Sequence, residues 1–304
     1  MGDELRIGII GFDTSHVPAF TKLLNDPRDP YYVPGAKVVC GYPSFSPDVE
    51  SSYTRVEEFK QEMVNTWRVE LVDSVEEVVA RCDAVLLESV DGRRHLEEAR
   101  PVIAARKPLY IDKPLAASYD EAAEIYRLAR EVDCPVFSSS SLRFDANMVA
   151  IKNDPELGAV LGCDAFSPAT LEPTNPGLFW YGVHGCEILY TFMGQGCQRV
   201  RCYSKAGADV VVGIWADGRL GTLRGTRRGA HEYGATVFGA GRVAQALRSR
   251  DVPLYAPLLR EIMAFFRGGP PPVDPEETLE IMAFMQAALV SGQEWREVDL
   301  DEVR

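Results

Sequence analysis

The strongest constraint on the fold is an alternation of short apolar runs and helical segments over the first 140 residues. Helical periodicity fills the intervals between the runs, and Ser74 is placed to cap one helix, with Glu77 three residues further on. The alternation predicts a parallel, doubly wound sheet, and so an α/β fold. The strand-type runs are Leu5–Ile10, Lys37–Gly41, Val69–Val72, Ala84–Glu88, Pro108–Ile111 and Pro135–Ser139.

The pattern changes after about residue 140, where strand-type runs follow one another directly. Asp217-Gly218 between two of them is a two-residue hairpin signal. Successive hairpins predict an open, mostly antiparallel sheet in a second, α+β domain. We therefore expect a Rossmann-like dinucleotide-binding domain over residues 1–140 and a substrate or oligomerisation domain over residues 141–304. The runs are Arg199–Ser204, Asp209–Ala216, Arg219–Gly225 and Tyr233–Gly239, followed by helices at Leu254–Phe266 and Pro275–Val290.

Composition narrows the functional classes. The formal net charge of −13 opposes binding to the phosphates of a nucleic acid. No apolar stretch approaches the roughly 18 residues of a membrane span, and no leader precedes the first strand, so we expect neither a membrane segment nor a signal peptide. The 7 cysteines are scattered without a Cys-x-x-Cys pair, which predicts buried free thiols and a cytoplasmic protein.

One tripeptide indicates a ligand site. Asp112-Lys113-Pro114 follows the strand-type run Pro108–Ile111. A side chain at the carboxyl end of a parallel strand points into the crevice where doubly wound sheets bind ligands. Pro114 restricts the backbone of Lys113 and so aims the side chain. The alternative is a surface lysine in an ordinary turn.

Several segments together resemble the Gfo/Idh/MocA family, which includes glucose–fructose oxidoreductase and inositol dehydrogenase. Asp112-Lys113-Pro114 resembles the family's Glu-Lys-Pro motif, and the run Ala84–Glu88 followed by His95 resembles its strand-loop-His segment. Tyr181–Glu187, running on to Gly194, resembles the helix that carries the family's catalytic histidine. The resemblance covers nearly the whole chain, because Pro275–Val298 also matches the usual terminal helix and strand.

The resemblance implies hydride transfer at a hydroxyl-bearing carbon of a sugar, a cyclitol or a related small polar substrate, with NAD or NADP as the cofactor. It implies a homo-oligomer, either a dimer or a tetramer. The implied catalytic residues are Lys113, His184 and Glu187, and the implied substrate contacts are Trp180, Tyr181 and Arg143. The implied cofactor-binding residues are Gly11, Phe12, Asp13, Thr14, Ser15, His16, Tyr42, Glu88, Ser89, Asp112 and Lys113.

The phosphate-binding loop departs from the family pattern. Of the three glycines in a dinucleotide fingerprint, only Gly11 is present; Asp13 and His16 occupy the other two positions. In one interpretation, the helix amides and the hydroxyls of Thr14 and Ser15 still bind the pyrophosphate. In the other, Asp13 and Ser15 cap the helix and His16 lines a pocket.

Two further departures concern specificity and catalysis. Tyr42 follows the second strand, at the position where an acid would indicate NAD and an arginine would indicate NADP. The choice of cofactor therefore stays open. Tyr42 itself either stacks on adenine or is simply packed. Trp180 and Glu187 replace two aspartates around His184. Glu187 shares a helix face with His184 and could bond it or a substrate hydroxyl, whereas Trp180 could only stack on a ring. The alternative for His184 is a hydrogen-bonded core residue.

No spacing of histidine and acids predicts a metal site, although Asp13, His16 and His184 could converge. The main hypothesis is therefore a dehydrogenase. The alternative is a diverged, non-redox protein that has lost dinucleotide binding: a ligand sensor, an isomerase or a lyase. Its crevice would bind a small polar ligand through Asp13, His16, Arg93 and His184.

Overall fold

The computed structural model describes residues 4–304, so the expectation about the first residues of the chain lies partly outside the described part. The chain forms two compact units. The first comprises the chain up to Ala116, Glu121–Ser138 and Pro253–Pro275. The second comprises Ala117–Asp120, Ser139–Val252 and Glu276–Arg304. Both units are thus discontinuous in sequence, whereas the predicted division at residues 140 and 141 is a single cut.

The helices and strands alternate in the first part of the chain as expected. The strands are β1 (Leu5–Ile10), β2 (Ala36–Tyr42), β3 (Glu70–Leu71), β4 (Ala84–Leu87), β5 (Leu109–Ile111), β6 (Val136–Ser138), β7 (Val160–Pro168), β8 (Cys197–Lys205), β9 (Ala208–Trp215), β10 (Leu220–Thr226), β11 (Gly234–Gly239), β12 (Val243–Leu247) and β13 (Val298–Asp299). The α-helices are α1 (His16–Asn25), α2 (Glu50–Tyr53), α3 (Val56–Asn65), α4 (Val75–Arg81), α5 (His95–Ala104), α6 (Tyr119–Glu131), α7 (Ala146–Lys152), α8 (Val183–Met193), α9 (Tyr255–Phe266) and α10 (Pro275–Glu294).

The sheet of the first unit is entirely parallel, with the strand order β3-β2-β1-β4-β5-β6. Every residue of β4 and β5 is buried, which explains their continuous apolar sequence. The strand order reverses between β1 and β4. Doubly wound sheets bind ligands at such a reversal, outside the carboxyl ends of the strands.

Helix α9 belongs to the first unit although it follows the second unit's sheet in the sequence. Its Phe265 ring packs edge-on against Phe137 of β6, with the ring centroids 4.8 Å apart. At its other end, Tyr255 packs edge-on against Phe20 of α1 at 5.8 Å. These aromatic contacts bury apolar area on both sides and hold α9 against the Rossmann sheet.

The second unit contains a seven-stranded sheet in the order β12-β11-β7-β10-β9-β8-β13. Only β7 and β10 pair in parallel; the other pairs are antiparallel. Helix α8 is buried along its whole length and packs on β7, β10 and β11. The predicted fold class, a Rossmann sheet followed by an open and mostly antiparallel sheet, is confirmed.

The local details agree with the expectations except at one helix cap. Ser74 caps α4 by accepting from the amide of Glu77, as predicted. Ser15 occupies the cap position of α1 but makes no side-chain capping bond, so that part of the prediction is wrong. All 7 cysteines are buried and free, as expected. Between residues 4 and 304 no helix combines the length and apolarity that crossing a membrane requires.

Candidate active site

Lys113 lies directly beyond β5, at the carboxyl end of the parallel sheet. Its residue exposure is 7%, which contradicts the reading of a surface lysine in an open turn. The Lys113–Pro114 peptide is cis. The Nζ atom lies 3.3 Å from Oδ2 of Asp112. The structure therefore places a buried, ion-paired amine at the edge of the sheet where ligands bind.

His16, Glu88 and Asp112 form a cluster around this lysine. The Nδ1 atom of His16 lies 3.2 Å from Oε2 of Glu88 and 3.1 Å from Oδ2 of Asp112. Glu88 and Asp112 are 0% and 1% exposed, and they follow β4 and β5 directly. Oε1 of Glu88 is buried without a hydrogen-bond partner in the described part of the chain. We call these three residues with Lys113 the lysine cluster.

Burial and ion pairing shift the pKa values in the lysine cluster. Burial raises the pKa of the Glu88 carboxyl to about 7, against the lowering effect of His16. Burial acts to lower the pKa of the His16 imidazole, but the carboxylates of Asp112 and Glu88 raise it well above its usual value. Burial acts to raise the pKa of Asp112, but His16 and Lys113 lower it. The cluster thus holds two cations and two acids in a desolvated site.

The same three side chains, His16, Glu88 and Asp112, offer one imidazole and two carboxylates within reach of a single metal ion. However, the His16 ring and the Lys113 amine already lie against these acids. The shared oxygen of Asp112 also contacts Nζ, which would repel a metal ion. We therefore assign these residues as an ion-paired cluster.

The loop between β1 and α1 directs its acidic side chain into the protein interior. Asp13 is 0% exposed, and its carboxylate accepts from the hydroxyl of Ser52 at 2.6 Å and from the amide of Val90 at 2.9 Å. Burial raises the pKa of Asp13 to about 6, although both hydrogen bonds lower it. The amide of Phe12 donates to the carbonyl oxygen of Ser44 at 3.0 Å. Asp13 therefore neither caps α1 nor presents its charge to solvent.

A network of serines, acids and arginines covers the region beyond β2 and β4. Glu98 accepts hydrogen bonds from Ser44 and from Ser89, and pairs with Arg94. Arg93 pairs with both Asp48 and Asp91. Tyr42, at the end of β2, is half-buried, and its carbonyl oxygen accepts from the amide of Gly11. Gly11 itself has a φ of +86°, and a Cβ there would meet the backbone of Ser89.

In the second unit, His184 and Glu187 lie on α8. Nδ1 of His184 is 2.8 Å from Oγ of Ser140. Glu187 accepts from the amide of Ser140 at 3.3 Å and pairs with the guanidinium of Arg143 at 2.7 Å. Burial raises the pKa of Glu187, against the effect of Arg143. Glu187 thus bonds Ser140 and Arg143, and its predicted bond to His184 is not among its contacts.

Aromatic side chains surround His184 within its own unit. The ring of Tyr181 lies 5.1 Å away and that of Tyr233 lies 5.8 Å away, both edge-on. Tyr233 donates to the hydroxyl of Tyr181 at 3.0 Å. Trp180 is half-buried. Arg143 also pairs with Glu277 at 2.6 Å, so its guanidinium is engaged by two carboxylates.

Comparison with known proteins gives a family match over the first part of the chain. Residues 5–140 match the Gfo/Idh/MocA family, described as an oxidoreductase family with an NAD-binding Rossmann fold. The part of the chain that contains the parallel sheet is therefore similar to this family. The family match confirms the resemblance expected from the lysine motif and the strand-loop-His segment.

Individual relatives are more distant. The chain is 26% identical over 270 residues to the myo-inositol 2-dehydrogenase of Thermotoga maritima, covering 73% of this chain and 80% of the relative. A probable dehydrogenase from Thermotoga maritima has a similar fold, with a TM-score of 0.81 at 21% identity over 99% of this chain and 100% of its own. GenD2 from gentamicin A biosynthesis, solved in complex with NAD, gives a TM-score of 0.80 at 15% identity over 98% and 97%. The two solved structures support the fold.

Three contact residues of this chain were not anticipated. Tyr255 packs its ring edge-on against His16 at 4.5 Å, Ser52 bonds Asp13, and Ser140 bonds His184. They are far in sequence from the residues that they contact, and none belongs to a motif. No local signal in the sequence would have identified them.

Proposed function

We propose that the chain is an NAD(P)-dependent oxidoreductase that acts on a hydroxyl-bearing carbon of a small polar substrate, such as a cyclitol or a sugar. The observation that carries the proposal is the buried Lys113, ion-paired to Asp112 at the carboxyl end of β5. The family match and the inositol dehydrogenase relative support the reaction class.

The first unit fits a dinucleotide better than its sequence suggests. Asp13 would repel a pyrophosphate if it faced the ligand, but its carboxylate is directed to Ser52 and Val90. Ser15 is exposed at the start of α1, where helix amides favour an anion. Thr14, Ser15, Tyr42, Ser89 and Lys113 would hold the cofactor, and the bound nicotinamide would supply the hydride chemistry.

The protein's own part in the reaction is proton transfer and orientation. Lys113, once it has released its own proton to solvent, would bond the substrate hydroxyl through the neutral amine and accept the hydroxyl proton at the sheet edge. His184 is the second candidate for this proton, as the family resemblance implies. Its ring orientation is set by the bond to Ser140. Trp180 and Tyr181 would contact the substrate through their rings and the tyrosine hydroxyl.

NAD is the preferred cofactor in this proposal. Recognition of the additional phosphate of NADP usually requires an uncommitted arginine near the end of the second strand. Arg93 is engaged by Asp48 and Asp91, and Arg94 by Glu98. These pairs support binding of NAD in preference to NADP.

The test is calorimetric titration of the purified protein with NAD, NADH, NADP and NADPH, followed by an absorbance assay with cyclitols and sugars. Micromolar binding of NAD or NADH and nicotinamide reduction by a polyol are the expected results. Lys113→Met should abolish the reduction while binding persists. Lys107→Met, which removes a half-buried lysine bonded to the carbonyl oxygen of Cys82, is the matched control.

A second candidate function, non-redox binding of a small polar ligand, is favoured by one observation. The amide of Phe12 and the carboxylate of Asp13, both in the phosphate loop, are used in bonds within the chain, and both residues are 0% exposed. No heat with any of the four dinucleotides, on a folded protein, would support this candidate and refute the first.

We also propose a homo-oligomer, as the family resemblance implies. Large apolar side chains of the second unit's sheet are exposed to solvent, which supports an interface on that sheet. Sedimentation velocity should give a mass of at least twice the 33.6 kDa chain; a monomer at all concentrations would contradict this part. The exposed residues are Leu161, Tyr203, Leu220, Phe238, Val243 and Leu247.

A further inference from the structure

We propose that His16 is a positioning residue: its positive charge weakens the hold of Lys113 on its proton, acting through the Asp112 carboxylate that the two side chains share. The electrostatic effect rests on the geometry of the first unit. Its use in catalysis rests on the proposed function, in which Lys113 accepts a proton from the substrate.

The position of the His16 ring is fixed by its surroundings. The ring packs edge-on against Tyr255 of α9 at 4.5 Å and against Phe20 of α1 at 5.5 Å. His16 is 6% exposed and is the first residue of α1. These contacts direct Nδ1 towards the two carboxylates, so the ring has little freedom to leave the cluster.

One oxygen atom couples the histidine to the lysine. Oδ2 of Asp112 lies 3.1 Å from Nδ1 of His16 and 3.3 Å from Nζ of Lys113. An imidazolium and an ammonium that share one carboxylate oxygen lie close enough to repel each other. Each therefore makes the other easier to deprotonate.

The titratable groups that face His16 come from three places in the first unit. Glu88 follows β4, Asp112 follows β5, and the Tyr255 hydroxyl belongs to α9. The hydroxyl of Tyr110 lies 3.5 Å from the other oxygen of Asp112. Without the imidazolium, the two carboxylates would act on Lys113 alone and stabilise its ammonium form. A lysine that must accept a proton would then be blocked near neutral pH.

The histidine at position 16 distinguishes the chain from a standard dinucleotide fingerprint. A glycine stands there in the dinucleotide motif, for close packing of helix on strand. Here the helix begins with a side chain that carries charge to the floor of the crevice. A neutral side chain of similar size would fill the same space without the positive charge. The packing role of residue 16 can therefore be separated from its electrostatic role.

The first experiment uses the unaltered protein. It has only 4 histidines, so nitrogen NMR of the imidazoles can be assigned by single substitutions. We expect His16 to be an imidazolium at pH 7, because, against the effect of burial, the Asp112 and Glu88 carboxylates raise its pKa well above the usual value. A neutral His16 ring at pH 7, or uptake of one zinc or manganese ion with Nδ1 as a ligand, would overturn the proposal.

The second experiment measures Lys113 directly. In protein labelled with 13C-lysine, the Cε resonance of Lys113, assigned with Lys113→Arg, reports the titration of the amine. His16→Asn should move the titration midpoint upward by about one pH unit or more, because a positive charge is lost. His231→Asn, the same change at an exposed histidine, should leave it in place.

If His16→Asn does not fold, His16→Gln provides the same loss of charge. If a folded variant without the charge at position 16 shows an unchanged or lowered titration midpoint for Lys113, the proposal is overturned. In an active enzyme, the same variant should shift the limb of the kcat/KM profile that reports the base to higher pH. If the NMR shift is found but the protein neither binds dinucleotide nor oxidises a polyol, the proposed function fails and the role of His16 stands.

Discussion

Two buried clusters each place acids against cationic side chains, but the two clusters pair these groups differently. In the first unit, Asp112 Oδ2 is shared by His16 and Lys113, and one oxygen of Glu88 has no hydrogen-bond partner among the described residues. In the second unit, Glu187 bonds Arg143 and Ser140. Arg143 bonds Glu277 as well.

The difference lies in which protons can move. An arginine does not lose its proton in proteins, so the pairs of Arg143 with Glu187 and Glu277 fix orientation. The lysine cluster consists of an amine, an imidazole and two carboxyls, all of which titrate. Composition alone would make both clusters candidates for acid–base chemistry. From the pairing, we propose that role for the lysine cluster and a structural role for Arg143 and Glu187.

The largest expected effect is on turnover. Lys113→Met should lower kcat by about 10²–10⁴-fold, because a positioned acid–base group contributes about that much. Dinucleotide affinity should stay within a few-fold, as measured by calorimetry. Lys107→Met should keep wild-type turnover. If Lys113→Met kept wild-type turnover, the lysine cluster would not carry the acid–base chemistry that distinguishes it from the arginine pairs.

The next effect is on stability. Arg143→Met should lower the free energy of unfolding by about 3–5 kcal/mol, because it leaves two acids without their buried partner. Since burial already raises the pKa of Glu187, the loss should be larger at pH 8 than at pH 5.5. Urea unfolding at both pH values measures it. The control is Arg199→Met, which breaks an exposed pair with Glu297 and should cost at most about 1 kcal/mol. Equal losses in the two variants would contradict the structural role.

A smaller effect concerns pH dependence. Because the folded state raises the pKa of Glu88 to about 7, it binds a proton that the unfolded chain releases near pH 4.5, and stability falls as the pH rises between these values. Glu88→Gln should remove about 3 kcal/mol of this fall. Exposed Glu97→Gln is the control. A wild-type slope in Glu88→Gln would show that the carboxyl is not perturbed.

The smallest effect tests the burial of Asp13 in the loop between β1 and α1. Ser52→Ala should cost about 1–2 kcal/mol, because its hydroxyl donates to Asp13 and accepts from the amide of Ser46. The loss should grow above pH 6, since without this bond the pKa of Asp13 rises further. The neighbouring Ser51 hydroxyl has no hydrogen-bond partner among residues 4–304, so Ser51→Ala should be nearly neutral. Equal costs would contradict the role of Ser52.

The sequence predicted most of the fold because the apolar pattern is strong where strands are buried. β1 was placed to the residue, and the hairpin at Asp217-Gly218 correctly joined β9 to β10. β7 was missed because it mixes glycine and polar residues with apolar ones, and β12 because its run of five residues is short. The parallel pairing of β7 with β10 joins segments far apart in the chain, and local pattern cannot predict it.

The sequence singled out the residues that the structure brings together in the lysine cluster, but not their pairings. Lys113, His16, Glu88 and Asp112 were all singled out. The sequence could not tell whether the Asp13 carboxylate faces a ligand or the interior, because this depends on Ser52 and Val90. Likewise, no pattern reveals that Tyr255, in a helix far along the chain, fixes the ring of His16.

The late position of α9 has a consequence for how the chain is made. A ribosome that has released residues 4–140 has delivered all six strands of the Rossmann sheet, but not the helix that packs on His16 and Phe137. The first unit should therefore stay incomplete during translation until the chain has passed Phe266. Limited proteolysis of stalled nascent chains should show Phe137 and α1 becoming protected only when α9 has left the exit tunnel; earlier protection would show that the sheet closes without it.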